Sequence, residues 1–302
     1  MFSDSAEKLK HVLQVKSEIM RAAREYLRSR GFVEILPVIL SRVTDPLHHE
    51  TYDGTVDYYG RPYTLTKSMI LHKQIALRTA PRIFAFSPNV RMEPEERAPL
   101  RRYLAEFVQL DLEVRGASRD EVIEIGEGLF VAVMRSVREN CAAELAALGR
   151  ELPVPETPFD RITYQEAVAR FGEDYDDPLS SSLSAPAWLI DFPRAVREFY
   201  DREDPARPGV LLDMDLIYPE GYGEALSGGE REHTLPHILR RLKQDGIPPE
   251  RFSAYLRFVE EGLPTSAGFG IGIERLTRYV CNLGHIKEAR LFPKVPGVAD
   301  AL

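Results

Sequence analysis

Residues 105–114, AEFVQLDLEV, constrain the fold more tightly than any other stretch of the chain. Phe107, Gln109, Asp111 and Glu113 alternate with Val108, Leu110, Leu112 and Val114. Alternate side chains of a β-strand point to opposite faces. One face is therefore aliphatic and has to be covered by another layer of structure. The other carries a ring, an amide and two carboxylates, which suits either a solvated surface or a site. Just upstream, residues 82–93, RIFAFSPNVRME, read as a second strand with Arg91 and Glu93 on one face. A charged loop, PEERAPLRRY, joins the two. An Arg, several carboxylates and a Phe can converge on one surface of this hairpin. Such groups can hold a nucleotide and a small zwitterion.

The chain has 302 residues, 44% of them apolar, enough for one large domain, or for one domain plus a small insertion at 151–186. No apolar run approaches the length of a membrane span, so no membrane partner is expected. The start, MFSDSAEKLKHV, reads as a polar helix start and not as a signal peptide. The two cysteines, Cys141 and Cys281, lack metal-ligand spacing and fit a reducing, cytoplasmic setting. His48 and His49 are adjacent and are read as loop residues. A net charge of −8, with no basic patch or tail, argues against tRNA as a partner. The local cluster Arg97, Arg101 and Arg102 sits in the hairpin loop, where the phosphates of a nucleotide account for it.

Elsewhere the periodicity predicts a helix over 5–30 with an apolar stripe through Val12, Ile19, Ala23 and Leu27, ended by Gly31. A strand over 32–36, a helix over 67–79 and a longer helix over 118–147 follow. The Pro-rich stretch 151–160 reads as a linker that separates the first half from a short excursion at 161–186. Strands near 187–192 and 210–217 come next, then helices near 233–245 and 249–261. A last strand and helix bury Ile273, Leu276, Val280 and Leu283.

The hairpin resembles motif 2 of the class II aminoacyl-tRNA synthetases, F-R-x-E followed by E-F-x-Q-x-D. The matching residues are Arg91, Glu93, Glu106, Phe107, Gln109 and Asp111. Residues 266–276, SAGFGIGIERL, are similar to motif 3, and residues 31–37, GFVEILP, to motif 1. The glycine run alone would be weak evidence, but a Rossmann pattern and a Walker A loop are both absent. Within that family the segments LTKSMILHKQ (65–74), AWLIDFPRAVREFY (187–200) and GYGEALSGGEREH (221–233) resemble the aspartyl and asparaginyl enzymes. With the ending ARLFPKVPG, the pattern is similar to a narrower group, archaeal asparagine synthetase A, a synthetase-derived core that amidates aspartate. The likeness runs from about residue 9 to 298.

The resemblance implies an α+β fold, a class II aminoacyl-tRNA synthetase-like antiparallel sheet flanked by helices. One helix precedes motif 1, too little for the OB-fold anticodon-binding barrel that the charging enzymes carry there, so a single catalytic domain is expected. It implies a homodimer through motif 1. For ATP it implies Arg91 on the α-phosphate, Phe107 and Arg275 on the two faces of adenine, Glu93 on its amino group, and Arg102, with Arg101, toward the γ-phosphate. Glu224 and Ser227 take the positions of the magnesium ligands. Lys73 and Arg231 match the cations that hold a carboxylate of aspartate, with Gln109, Asp111 and Ser68 around the amine. One residue departs from the pattern: Ile70 stands where aspartyl enzymes have Gln, one helical turn before Lys73. An amide that reads the amino acid is gone. That suits activation of the β-carboxylate of aspartate and its amidation by ammonia, with Glu113 and Glu232 both open as the base for ammonium. The alternatives are a truncated aspartyl- or asparaginyl-tRNA synthetase and a non-catalytic paralogue that senses amino acid or nucleotide.

Overall fold

A computed structural model of the chain describes residues 2–298, with side chains from Ala6 onward. In chain order the helices are α1 (Phe2–Ser29), α2 (Ile70–Ala76), α3 (Arg119–Asn140), α4 (Ala142–Ala147), α5 (Tyr164–Phe171), α6 (Asp176–Ser182), α7 (Leu235–Gln244), α8 (Ser253–Glu260) and α9 (Ile273–Val280). The strands are β1 (Val33–Glu34), β2 (Leu40–Ser41), β3 (Thr55–Tyr58), β4 (Arg61–Leu65), β5 (Arg82–Val90), β6 (Glu106–Arg115), β7 (Asp160–Thr163), β8 (Ala187–Ile190), β9 (Asp213–Tyr218), β10 (Gly223–Glu230) and β11 (Ser266–Gly272). Eight of them form one sheet in the order β1-β5-β6-β11-β10-β9-β8-β7. Its inner pairs are antiparallel, and only the outermost pairs, β1–β5 and β7–β8, are parallel. A three-stranded sheet, β2-β4-β3, stands beside it.

The alternation in β6 separates core from site as expected. Leu110, Leu112 and Val114 are buried in the main core with Val12, Ile19 and Leu27 of α1, Leu129 and Met134 of α3, and Leu276 of α9. Truncating such a side chain to Ala typically costs about 2–5 kcal/mol, so this face is fixed by packing. The opposite face is left open by β11. Gly268, Gly270 and Gly272 lie directly across from Glu113, Asp111 and Gln109. A Cβ on Gly268 would come 2.2 Å from Glu113 Oε2, and one on Gly270 would come 3.0 Å from Asp111 Oδ1. The glycine run thus makes room for the polar row of β6, of which Phe107, Gln109 and Asp111 line cavities while Glu113 is enclosed.

Several boundaries differ from the sequence reading. α1 stops where Gly31 takes φ +77°, as expected. Helix α2 begins only at Ile70, because Ser68 Oγ accepts from the Ile70 N–H (3.1 Å) and Met69 before it lies outside helical geometry at φ −86°, ψ 9°. The long helix is interrupted at Cys141, which departs from helical geometry at φ −123°, ψ 31°. Its start is a capping box, Ser118 with Glu121. The segment 161–186 is no detached excursion. Strand β7 pairs with β8 at the sheet edge, and Ser180 of α6 donates to the Tyr218 carbonyl and accepts from the Gly223 N–H. Both cysteines are buried. Burial pushes the thiols up, Cys141 to about 11 and Cys281 to about 12, so they behave as core residues.

Candidate active site

Two cavities open on the polar face of β6. The first, of about 160 Å³, is lined by residues that include Glu93, Arg102, Tyr103, Phe107 and Arg275. The second, of about 190 Å³, is lined by residues that include Ser68, Ile70, Lys73, Asp111, Asp201 and Arg231. They share His49, Arg91, Gln109, Glu224 and Gly270. Anything that spans from one to the other passes Arg91 and Glu224.

Around the first cavity, Arg91 places its guanidinium 5.2 Å from the Phe107 ring centroid and donates Nε–H to the Lys67 carbonyl (3.0 Å). Arg275 does not face Phe107 directly. It lies 5.6 Å from the centroid of Tyr103, a ring not anticipated from the sequence, and pairs with Glu224 (3.2 Å). Phe107 and Arg275 nevertheless line the same cavity. Glu93 is buried, with His49 Nε2 at 3.1 Å and Arg97 Nε at 3.5 Å. Its Oε2 has no hydrogen-bond partner among the described residues, which leaves an acceptor for a ligand N–H. Arg102 reaches the cavity but is held by Asp176 and Asp177 of α6, each at 2.8 Å. Arg101 is not brought in. It adopts a left-handed conformation at φ 57° and its carbonyl accepts from Ile286. Glu106, within the same motif, is tied to Arg290 and Lys294.

The second cavity is a wall of paired charges. Lys73 donates to Asp111 Oδ1 (2.9 Å) and to the carbonyls of Leu112 and Phe269 (both 3.3 Å). All three ammonium protons are thereby engaged. The structure makes Lys73 the counter-charge of Asp111 and not an unoccupied donor. Arg231 donates Nε–H to Glu113 (3.2 Å), Nη1–H to Asp201 (3.0 Å) and Nη2–H to the Gly268 carbonyl (2.8 Å). That leaves two of its five N–H groups for a ligand. Asp111 keeps Oδ2 without a partner. Gln109 accepts from Asn89 through its Oε1. Ile70 and Lys73 line the same cavity, as their one-turn spacing requires. Glu113 is enclosed behind Arg231 and Ser266, and Glu232 accepts from His233, Thr234 and His237. Neither lines either of these cavities, so both fall as candidate bases for ammonium.

Beneath Glu224 lies a cluster that sequence reading did not single out. Arg197 donates to Asp213 (3.0 Å), Asp215 (2.7 Å) and Ser227 Oγ (3.5 Å). Burial pushes Asp215 up to about 7 against the pull of Arg197, and the nearby Glu224 adds to the rise. Burial opposes ionisation of Glu224 as well, but Arg275, Arg197 and Arg91 hold its carboxyl below the usual range. The signal was present in DMDLIY, where Asp213 and Asp215 alternate with Met214 and Leu216 as the polar row of β6 does. Among the described residues no three His, Cys, Asp or Glu side chains form a metal cage. Yet Asp215 Oδ1 is buried and unpartnered, beside Glu224 and Ser227. Hard oxygen donors, incomplete without a ligand, suit a magnesium ion that keeps waters and phosphate oxygens in its sphere.

An antiparallel sheet whose polar face carries two joined cavities defines a class II synthetase catalytic core. A family model described as tRNA synthetases class II (D, K and N) matches residues 3–296, and the chain belongs to that family. The asparagine–tRNA ligase of Thermococcus gammatolerans is 29% identical, with 96% of this chain and 70% of that protein aligned. Asparaginyl-tRNA synthetase of Pyrococcus horikoshii, solved with asparaginyl-adenylate, superposes with a TM-score of 0.88 at 28% identity, over 96% of this chain and 70% of that one. The Entamoeba histolytica asparaginyl enzyme gives 0.85 at 25% identity, over 95% and 67%. Among the described residues no helix is long and apolar enough to cross a membrane.

Proposed function

We propose that the chain is an aspartate–ammonia ligase that forms AMP. The observation that carries this reading is the composition of the second cavity. Arg231 keeps two N–H groups for a carboxylate of a dicarboxylic amino acid, Lys73 stands beside it as the counter-charge of Asp111, and Ile70 presents an apolar side chain toward the same cavity. In the first step an oxygen of the aspartate β-carboxylate attacks the α-phosphorus of ATP. The bond from that phosphorus to the bridging oxygen breaks and pyrophosphate leaves. Arg91, at the junction of the cavities, stabilises the charge that builds on the α-phosphoryl oxygens. Phe107 and Arg275 hold adenine, Glu93 accepts from its amino group, and Arg102 reaches the distal phosphates. A planar guanidinium suits such stacking. In the second step the nitrogen lone pair of ammonia attacks the acyl carbon. The carbon–oxygen bond to AMP breaks, AMP departs with that electron pair, and the attacking nitrogen gives up a proton to solvent water. The products are asparagine and AMP.

Glu224, Asp215 and Ser227 would hold magnesium. When bound, the ion neutralises charge on the phosphates. The protein acts as a cytoplasmic homodimer without tRNA. A second reading, charging of tRNA with asparagine or aspartate, is favoured by the likeness to the asparaginyl enzymes. Incubation with ATP, magnesium, aspartate, ammonium and tRNA separates the two. Asparagine and AMP in equal amounts support the ligase. Aminoacyl-tRNA formation without free asparagine overturns it.

A further inference from the structure

Activating the β-carboxylate requires that aspartate enter with its α-carbon remote from Arg91. The two ends of aspartate differ in one respect. The α-carbon bears a carboxylate and an ammonium group side by side, whereas the β-carboxylate has no amine beside it. A wall that offers a cation and an anion in contact complements only the first. The second cavity holds two such pairs, Lys73–Asp111 at 2.9 Å and Arg231 Nη1–Asp201 Oδ1 at 3.0 Å, all four side chains buried. Only Arg231 keeps N–H groups for a carboxylate beside its anion, since the three Lys73 protons are engaged. Arg231 and Asp201 line the second cavity and not the first.

The backbone fixes this pair. Asp201 and Arg231 form an isolated antiparallel bridge, and Arg241 donates to the carbonyls of Asp201 and Glu198 (3.0 and 2.8 Å). Glu113 and the Gly268 carbonyl hold the other edge of the Arg231 guanidinium. Two further carboxylates, Asp45 and Glu198, line the cavity beside Asp201. Asp45 accepts from Tyr200 Oη (3.1 Å) and from the Leu47 N–H (3.1 Å), and Glu198 accepts from the His48 N–H (2.8 Å). No Lys or Arg ion-pairs with Asp45 or Glu198 among the described residues. Burial, then the charge of Asp45, pushes Glu198 above its ordinary value. This part of the wall carries surplus negative charge, and across the cavity Asp111 Oδ2 is buried and unpartnered. A ligand cation answers that surplus.

We infer that Asp201 is the specificity-determining residue that binds the α-ammonium group of aspartate, so that Arg231 takes the α-carboxylate and the β-carboxylate is turned toward Arg91. The inference rests on the ligase reading and adds to it the residue that sets the direction of the substrate. Ile70 fits the same arrangement, since the amine then no longer lies near the residue 70 position.

The test compares L-aspartate with succinate, which has both carboxylates and no amine. Each is assayed with wild type and Asp201→Asn, succinate as a competitive inhibitor of β-aspartyl hydroxamate formation. Asp201→Asn is expected to weaken aspartate about tenfold or more, the scale of one lost hydrogen bond to a charged group. Succinate should weaken far less, so that the preference for the amine-bearing ligand collapses. Equal weakening of both ligands would show that Asp201 only holds Arg231 in place, and an unchanged preference would show that the amine is read elsewhere. Either result overturns the inference while leaving the ligase reading intact. Wild type that yields no β-aspartyl hydroxamate at all overturns the ligase reading itself.

Discussion

Arg275 Nη1 lies 3.2 Å from Glu224 Oε2, so the residue assigned to adenine is ion-paired to the residue assigned to magnesium. Each neutralises the other. Entry of ATP with its metal would replace this pair by two new ones, Glu224 with the cation and Arg275 with the base. Arg275→Ala should then lower aspartate-dependent pyrophosphate release about a hundredfold or more, on the scale of a lost preorganised donor. Glu224→Gln should raise the magnesium concentration needed for half-maximal rate about tenfold. Unchanged magnesium dependence in Glu224→Gln would remove Glu224 from the metal site.

Arg91→Ala should abolish adenylate formation while leaving the fold intact. Its guanidinium packs on the exposed face of Phe107 and makes its protein hydrogen bond to a loop carbonyl, so little of the core depends on it. Pyrophosphate exchange and a thermal melt check both halves. Near-normal exchange in the variant contradicts the role given to Arg91.

Asp201 makes the stability of the ligand-free protein depend on pH. Burial pushes its carboxyl from 3.8 to about 7, although Arg231 pulls the other way. Between those values the folded chain retains a proton that the unfolded chain has released. Raising the pH across that window therefore removes stability. Asparagine at this position cannot titrate. The melting temperature of Asp201→Asn relative to wild type should be higher at pH 8 than at pH 5, measured without aspartate. An equal difference at the two pH values contradicts the assignment.

Gly268→Ala tests the link between fold and site. The added methyl would lie 2.2 Å from Glu113 Oε2 and from the Leu112 carbonyl. Strand β11 must shift away from β6, and Glu113 must release Arg231. The variant should lose roughly 1–3 kcal/mol of stability, as overpacked cores do, and bind aspartate more weakly than ATP relative to wild type. Urea denaturation and titration with each ligand check this. Wild-type values for both would show that β11 has more room than its register allows.

The motif 1 region leaves Leu36 89% exposed, with Val33, Ile39 and Leu40 about half exposed beside it. A cluster of that kind at one sheet edge calls for a covering partner, and a second copy of the chain is the commonest solution. Light scattering should give a dimer at micromolar concentration, and Leu36→Asp should shift it toward monomer. A monomeric wild type contradicts the assignment.

Much of this was legible because alternation reports strand geometry directly. The alternation of β6 predicted its polar row, the glycines of β11 entered only through their likeness to motif 3, and the register of the two strands explains why both are needed. The residues that the sequence hid are those brought in by long-range contacts. Arg197 and Asp201 come from the loop after β8, and although DMDLIY shows the alternation that carries Asp215, only the fold brings Asp215 to Arg197 and across from Ser227. Tyr103 reaches Arg275 only through the turn of the hairpin loop. Lys73 was found by position, but position could not show that its three protons are already engaged. The reach of Arg101 was overestimated because a left-handed residue redirects the loop away from the cavity.

The central claim is that the β-carboxylate of aspartate is the one activated. Hydroxylamine added to wild type with ATP, magnesium and L-aspartate attacks the acyl carbon in place of ammonia, displaces AMP and leaves a stable hydroxamate. Chromatography against authentic standards identifies it. The account predicts β-aspartyl hydroxamate in amounts equal to the AMP released. The α-isomer, accompanied by transfer of aspartate to tRNA, would contradict it.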